Sequence, residues 1–104
     1  MRKLHFIIIY CVIAITYSST LQAQYTWTQM ANFPGAGRDY DAGFSIGQYG
    51  YVGCGSNNSS HFNDFYRWNQ KTNTWDTIAS YPGSGYYDSP VSFSVEGYGY
   101  VGLG

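Results

Sequence analysis

FSIGQYGYVGCG, the sequence of residues 44–55, is the first copy of a repeat that returns at residues 93–104 as FSVEGYGYVGLG. Eight of the twelve positions are identical, and the two copies lie 49 residues apart. Each copy alternates aromatic with small residues on both sides of a two-residue connection, which is typical of a β-hairpin. A period of this length indicates repeated structural units, so the chain is predicted to be all-β.

The other strands are predicted from alternation and from turn residues on either side of the repeat. Gly47-Gln48 and Glu96-Gly97 are the expected hairpin connections, because glycine readily adopts the positive φ of such turns. Two loops that contain proline, 31–37 and 79–85, are expected to end strands. No helical period is present after residue 23. Strands are predicted at 25–30, 41–46, 49–53, 64–68, 74–78, 89–95 and 98–102.

Residues 1–23 have the pattern of a secretory signal peptide. A basic head, Met1-Arg2-Lys3, precedes an apolar run at 6–17 and a small, polar segment that ends at Ala23. The run is shorter than the ~20 residues of a membrane span, although an uncleaved anchor is the alternative. We therefore expect cleavage after Ala23, no stable membrane insertion afterwards, and a location outside the cytoplasm, either secreted, periplasmic or at the cell surface.

The charge balance of residues 24–104 argues against nucleic acid as a partner. Three cations stand against six carboxylates, a net charge of −3, and the cations are not clustered as phosphate binding requires. Cys54 is the only cysteine after residue 23, so no internal disulfide is expected. His61 is the only histidine there, so no zinc-ligand spacing exists. No metal or cofactor is predicted.

Catalytic residue types are present but do not form a persuasive pattern. Cys54 and His61 are the available nucleophile and base, and Asp39, Asp41 and Asp88 are loop carboxylates that could serve as an acid–base pair. A buried cysteine, a solvated histidine and turn-capping aspartates explain the same residues more simply. We therefore predict that the chain is not an enzyme.

The order of these motifs resembles the kelch repeat. A kelch blade has a glycine pair at the end of its second strand, an aromatic residue in the third and a tryptophan opening the fourth. The matching residues are Gly53 and Gly55, Trp68 and Trp75, with Gly102 and Gly104 in the second copy. The segment NDFYRWNQKTNTW, which lies after GYVGCG, is similar to segments of kelch proteins exported by Bacteroidetes bacteria.

This sequence departs from the kelch pattern in three places. Cys54 splits the first glycine pair, and Leu103 splits the second. Trp68 stands where the family usually has tyrosine, and Asn69-Gln70 stands where Asp-Pro is common.

The resemblance implies a β-propeller built from four-stranded antiparallel blades. Residues 24–104 would hold an outer strand at 25–30, a full blade at about 38–82 and half a blade at about 86–104. Closure takes about 4–8 blades, so one and a half blades form an incomplete propeller. We therefore expect a fragment whose open faces are covered by missing blades or by self-association.

By the same resemblance, the chain is expected to be an exported recognition module that binds a protein or carbohydrate ligand. The alternative is part of a secreted propeller enzyme resembling galactose oxidase, with its catalytic residues outside residues 1–104. Alternate loops of a blade lie on one side, and tyrosine, arginine and asparagine suit binding. The predicted ligand-binding residues are Arg38, Tyr40, Asn57, Asn58, His61, Tyr86 and Tyr87, with ordinary loop residues as the alternative.

Overall fold

Six β-strands make up the regular structure of the part of the chain that the structure describes. The computed structural model describes residues 25–83 and 88–103, and no helix in these ranges could cross a membrane. The first four strands form one antiparallel sheet in chain order, and the last two form a separate hairpin. The predicted all-β class is confirmed, and the two sheets are compatible with an incomplete, blade-like fragment. The strands are β1 (Ala42–Ile46), β2 (Tyr49–Gly53), β3 (Phe65–Asn69), β4 (Thr74–Ile78), β5 (Val91–Val95) and β6 (Tyr98–Gly102).

Both hairpins form around the predicted two-residue connections. Ile46 pairs with Tyr49 across the first connection, and Val95 pairs with Tyr98 across the second. φ is +56° at Gly47, and in the second connection it is 49° at Glu96 and +80° at Gly97. Positive φ values are what two-residue hairpin loops require, because they match the twist of the flanking strands.

The buried core lies at the end of the first sheet and extends to the hairpin. Ala42, Cys54 and Phe65 are its buried residues. Four partly buried side chains pack against them and extend the core from the first sheet to β6: Phe44, Ile78, Tyr81 and Val101. Because this core contains few residues, many aromatic side chains remain partly exposed.

The two sheets touch through β1 and β5. The Ser92 hydroxyl donates to the carbonyl oxygen of Gly43 at 3.0 Å and accepts from its amide at 3.2 Å. The Phe44 ring lies over Gly99, where an added Cβ would overlap the ring atoms. The hydrogen bonds and the close ring contact together hold the hairpin against the first sheet.

Residues 25–30 form no strand, contrary to the sequence prediction. A strand needs a paired neighbour, and β4 is an edge strand that pairs only with β3 in the described part of the chain. The segment is instead held by hydrogen bonds just after its C-terminal end, where the Ala31 amide donates to Asn73 Oδ1 at 2.9 Å. Trp75 Nε1 donates to the Ala31 carbonyl at 3.1 Å.

Three strands also differ in their limits from those predicted. β1 begins one residue later than expected, and β3 is displaced by one residue toward the C-terminus. β5 begins at Val91 rather than at residue 89, because Pro90 has no amide hydrogen and Ser89 has a φ of 54°. The predicted signal peptide at 1–23 and the last motif glycine, Gly104, lie outside the described residues.

Candidate functional site

Three loops meet at one edge of the first sheet. Asp39 and Ser56 exchange backbone hydrogen bonds of 2.8 and 2.9 Å, which joins the loop entering β1 to the loop between β2 and β3. Ser56 also forms a bridge with His61 within that second loop. The Ser89 amide donates to the Tyr40 carbonyl at 3.0 Å and adds the loop entering β5. The structure thus brings together the loops in which the sequence placed its binding residues.

Glycine is required where the first two loops cross. A Cβ on Gly55 would lie 2.5 Å from the Asp39 carbonyl oxygen, and the φ of Gly55 is +82°. The preceding residue, Cys54, also has a positive φ of 57° and is completely buried. The left-handed turn at these two residues allows the loops to approach closely.

Arg38 lies inside this edge rather than on its surface. Its side chain is only 3% exposed, and its guanidinium makes a bidentate ion pair with Asp64, at 2.5 and 3.1 Å. The same group donates to the carbonyl oxygens of Ala36 and Cys54, both at 3.1 Å. It also lies 4.3 Å from the centre of the Phe62 ring, a cation–π distance. Because its donors are engaged internally, Arg38 does not offer a ligand contact.

The Arg38–Asp64 pair is associated with shifted pKa values at Asp64 itself and at two neighbouring residues. The hydrogen bond from Arg38 is the largest influence lowering the pKa of Asp64 below its usual range, so the carboxyl stays ionised. The Tyr66 hydroxyl donates to Asp64 at 2.8 Å, and this bond raises the pKa of Tyr66. Burial and the negative charge of Asp64 raise the pKa of the Cys54 thiol. A neutral, buried thiol is a poor nucleophile.

Asn57 is used to shape its own loop. Its Oδ1 accepts hydrogen bonds from the amides of Ser59 and Ser60, both at 2.9 Å. Its Nδ2 donates to the Gly37 carbonyl at 3.3 Å and so connects this loop to the entry of β1. This is the local side-chain-to-backbone bonding that asparagine commonly provides in turns.

Three of the predicted binding residues, Tyr40, Asn58 and His61, lie on the exposed part of the edge. Tyr40 is 65% exposed and has a φ of 57°. Asn58 lies at the exposed tip of the second loop. His61 Nε2 lies 3.3 Å from an Asp88 carboxylate oxygen. The two remaining predicted binding residues, Tyr86 and Tyr87, lie outside the described residues.

The motif residues of the repeat have packing roles in the described structure. A Cβ on Gly53 would overlap the Phe65 ring, so that glycine makes room for a core side chain. Trp68 Nε1 donates to Asn73 Oδ1 at 3.1 Å. The Trp75 ring packs edge-to-face on Phe33, at a centroid distance of 5.4 Å.

The second copy of the motif packs more loosely. At Gly102 an added Cβ would meet nothing within 4 Å, so this glycine is not held by a close neighbour as Gly53 is.

Sequence reasoning did not find the partners of Arg38. Asp64 and Phe62 lie more than twenty residues farther along the chain, and nothing local to Arg38 indicates that the fold brings them together. One available signal was the small number of cations, since a lone arginine among aromatic residues often packs on their rings.

No family model, curated protein or solved structure matches this chain. Within residues 25–83 and 88–103, no group of three or more histidine, cysteine or acidic residues could hold a metal ion. The resemblance to kelch repeats therefore remains a prediction from the sequence.

Proposed function

We propose that this chain is an exported, kelch-type recognition module that binds a protein or carbohydrate ligand at the edge where its three loops meet. The observation that carries the proposal is Tyr40, a large side chain that is 65% exposed on a backbone held by hydrogen bonds at Tyr40 itself and at the preceding residue. Its own carbonyl accepts from Ser89, and the Asp39 backbone is paired with Ser56.

An exposed tyrosine on a fixed backbone is suited to binding because little conformational freedom is lost when the ligand arrives. Its positive φ, 57°, is uncommon for a residue with a Cβ, and such backbone conformations concentrate at functional sites. The ring offers an apolar face and the hydroxyl offers a hydrogen bond, the combination enriched at binding hot spots.

Polar groups on the same three loops give the edge a means of orienting a ligand. Asn58 supplies both a donor and an acceptor, and the His61–Asp88 pair adds a further polar contact. An edge that combines an exposed aromatic ring with amide and carboxylate groups suits the stacked and hydrogen-bonded binding of a sugar, as well as a polar protein surface.

The test is a binding screen of the full chain on a printed oligosaccharide array and on immobilised extracellular proteins. Tyr40→Ala should weaken binding to the best probe by about 30-fold, the loss expected for a hot-spot residue. Tyr40→Phe separates ring stacking from hydroxyl bonding. The matched control is Tyr25→Ala, since Tyr25 is also highly exposed but lies outside the three loops.

Two results would contradict the proposal. One is binding of a probe with equal affinity by the wild type and Tyr40→Ala. The other is an equal loss in Tyr25→Ala, which would mean that any exposed tyrosine contributes nonspecifically. Urea unfolding of each variant separates a true binding loss from unfolding.

A further inference from the structure

The contact between the two sheets has the form of a knob in a hole. The knob is the Phe44 ring, which stacks on Tyr51 at a centroid distance of 4.9 Å and projects from the first sheet. The hole is Gly99 of β6, where the lack of a side chain leaves space for that ring. Ser92 and Val101 lie on the same face of the hairpin as Gly99, because side chains alternate along each strand.

The hairpin carries a second knob, which remains exposed. Phe93 follows Phe44 by one repeat and stacks on Tyr100 in the same way, at 5.1 Å with ring planes 14° apart. Phe93 is 51% exposed, on the hairpin face opposite Gly99. The exposed apolar residues of this face, the knob face, are Val91, Phe93, Val95, Tyr98 and Tyr100.

A second hole is also present. Gly50 precedes Gly99 by one repeat and lies on the side of the first sheet that faces away from Phe44. A Cβ added at Gly50 would meet its nearest atom, Trp68 Cε3, only at 3.8 Å. A groove of about 280 Å³ lies over this position. Its walls include Ser45, Gly50 and Trp68, which we call the hole face.

We propose that copies of this chain associate head to tail, with the knob face of one copy against the hole face of the next. Phe93 would occupy at Gly50 of the neighbouring copy the position that Phe44 occupies at Gly99 within the chain. The proposed partner is a second copy of this chain for two reasons. The contact of Phe44 with Gly99 shows that a glycine-containing strand of this repeat accommodates such a ring, and each copy carries both an exposed knob face and an open hole face.

The two faces differ, so the association is heterologous and repeats in one direction until it closes. Each copy contributes two sheets, and closed propellers hold about 4–8, so a ring of about two to four copies is expected. Burial of the exposed apolar residues on the knob face drives the contact, because removing apolar surface from water is favourable.

Sedimentation velocity of the full chain, over a wide concentration range, tests the proposal. The wild type should form a closed oligomer. Phe93→Ser removes the knob, and Gly50→Val fills the hole; each should raise the dissociation constant by about tenfold or more. The matched controls are Met30→Ser, which removes an exposed apolar side chain elsewhere, and Gly37→Val, which adds a side chain in open space.

Mixing the two variants provides the decisive result. Phe93→Ser retains a hole and Gly50→Val retains a knob, so an equal mixture should form heterodimers that grow no further. Recovery of association also shows that both variants are folded. A monomeric wild type would overturn the proposal. It would also be overturned if Gly50→Val associated as strongly as the wild type, because that result is expected when two knob faces pair symmetrically. A mixture that stays monomeric would overturn it too.

Discussion

Asp64→Asn should destabilise the fold severely, because it removes the charge that balances a buried guanidinium. The Arg38 side chain is 3% exposed, and its bidentate pair with Asp64 joins the loop entering β1 to the start of β3. Asparagine has the same shape as aspartate and can still accept one hydrogen bond. The substitution therefore tests the charge rather than the packing.

The size of the effect follows from the burial of the pair. Breaking a buried ion pair by removing one partner costs about 3–5 kcal/mol, and the lower figure applies here because the Asp64 side chain is 31% exposed. A small domain is stable by about 5 kcal/mol, so about 3 kcal/mol is more than half of the total. With a urea dependence of about 1 kcal/mol per molar, the unfolding midpoint should fall by about 3 M.

Urea unfolding followed by tryptophan fluorescence measures this shift. The matched control is Asp76→Asn, which breaks the pair between Arg67 and Asp76 at 3.0 Å. That pair is exposed to solvent, so its loss should move the midpoint little. Equal shifts in the two variants would refute the reasoning that the Arg38–Asp64 pair contributes more to stability because it is buried.

The pH dependence gives a second, independent readout. The pKa of Asp64 is lowered in the folded state, chiefly by the Arg38 hydrogen bond, so the unfolded state binds more protons at acid pH and stability rises with pH. The contribution is complete above the unfolded pKa of about 3.9 and is lost as the pH falls through the lower folded value. The difference between the wild type and Asp64→Asn should therefore shrink below about pH 4; a difference that grows there would contradict the assignment.

Three further predictions concern packing and reactivity. Gly53→Ala should destabilise the fold by about 1–3 kcal/mol in urea unfolding, because the new methyl group would overlap Phe65; an unchanged midpoint would show that the ring moves freely. Cys54 should react with a thiol reagent only as fast as the chain unfolds, since its thiol is buried and its pKa is raised; rapid reaction in native buffer would contradict this. Ser92→Ala should cost about 1 kcal/mol by removing the two hydrogen bonds to Gly43, whereas no change would mean that water replaces them.

Hairpins could be predicted closely from the sequence because their determinants are local. Alternating residues and a glycine-containing connection specify β2 and β6, whose predicted and observed limits agree. The predicted strand at 25–30 has a local pattern like that of β4 but pairs with no strand in the described residues, and pairing is not encoded within six residues.

The role of Arg38 could not be predicted for a similar reason. Its charge and its loop position suit a binding surface, but its partner Asp64 is 26 residues away in sequence and lies beside it because of how the chain folds, which no local pattern indicates. Tyr40 shows the opposite case, because its exposure follows from the loop position that the sequence indicated.

The pentapeptide Tyr-Gly-Tyr-Val-Gly forms both β2 and β6, in one chain and with the same hairpin register. Identical sequence gives nearly identical intrinsic rates of amide hydrogen exchange, so side-chain chemistry cancels when the two strands are compared. β2 lies between two strands, whereas β6 pairs only with β5 in the described part of the chain. The ratio of their protection factors therefore measures, inside a single molecule, how much resistance to local opening a strand gains from a second neighbour.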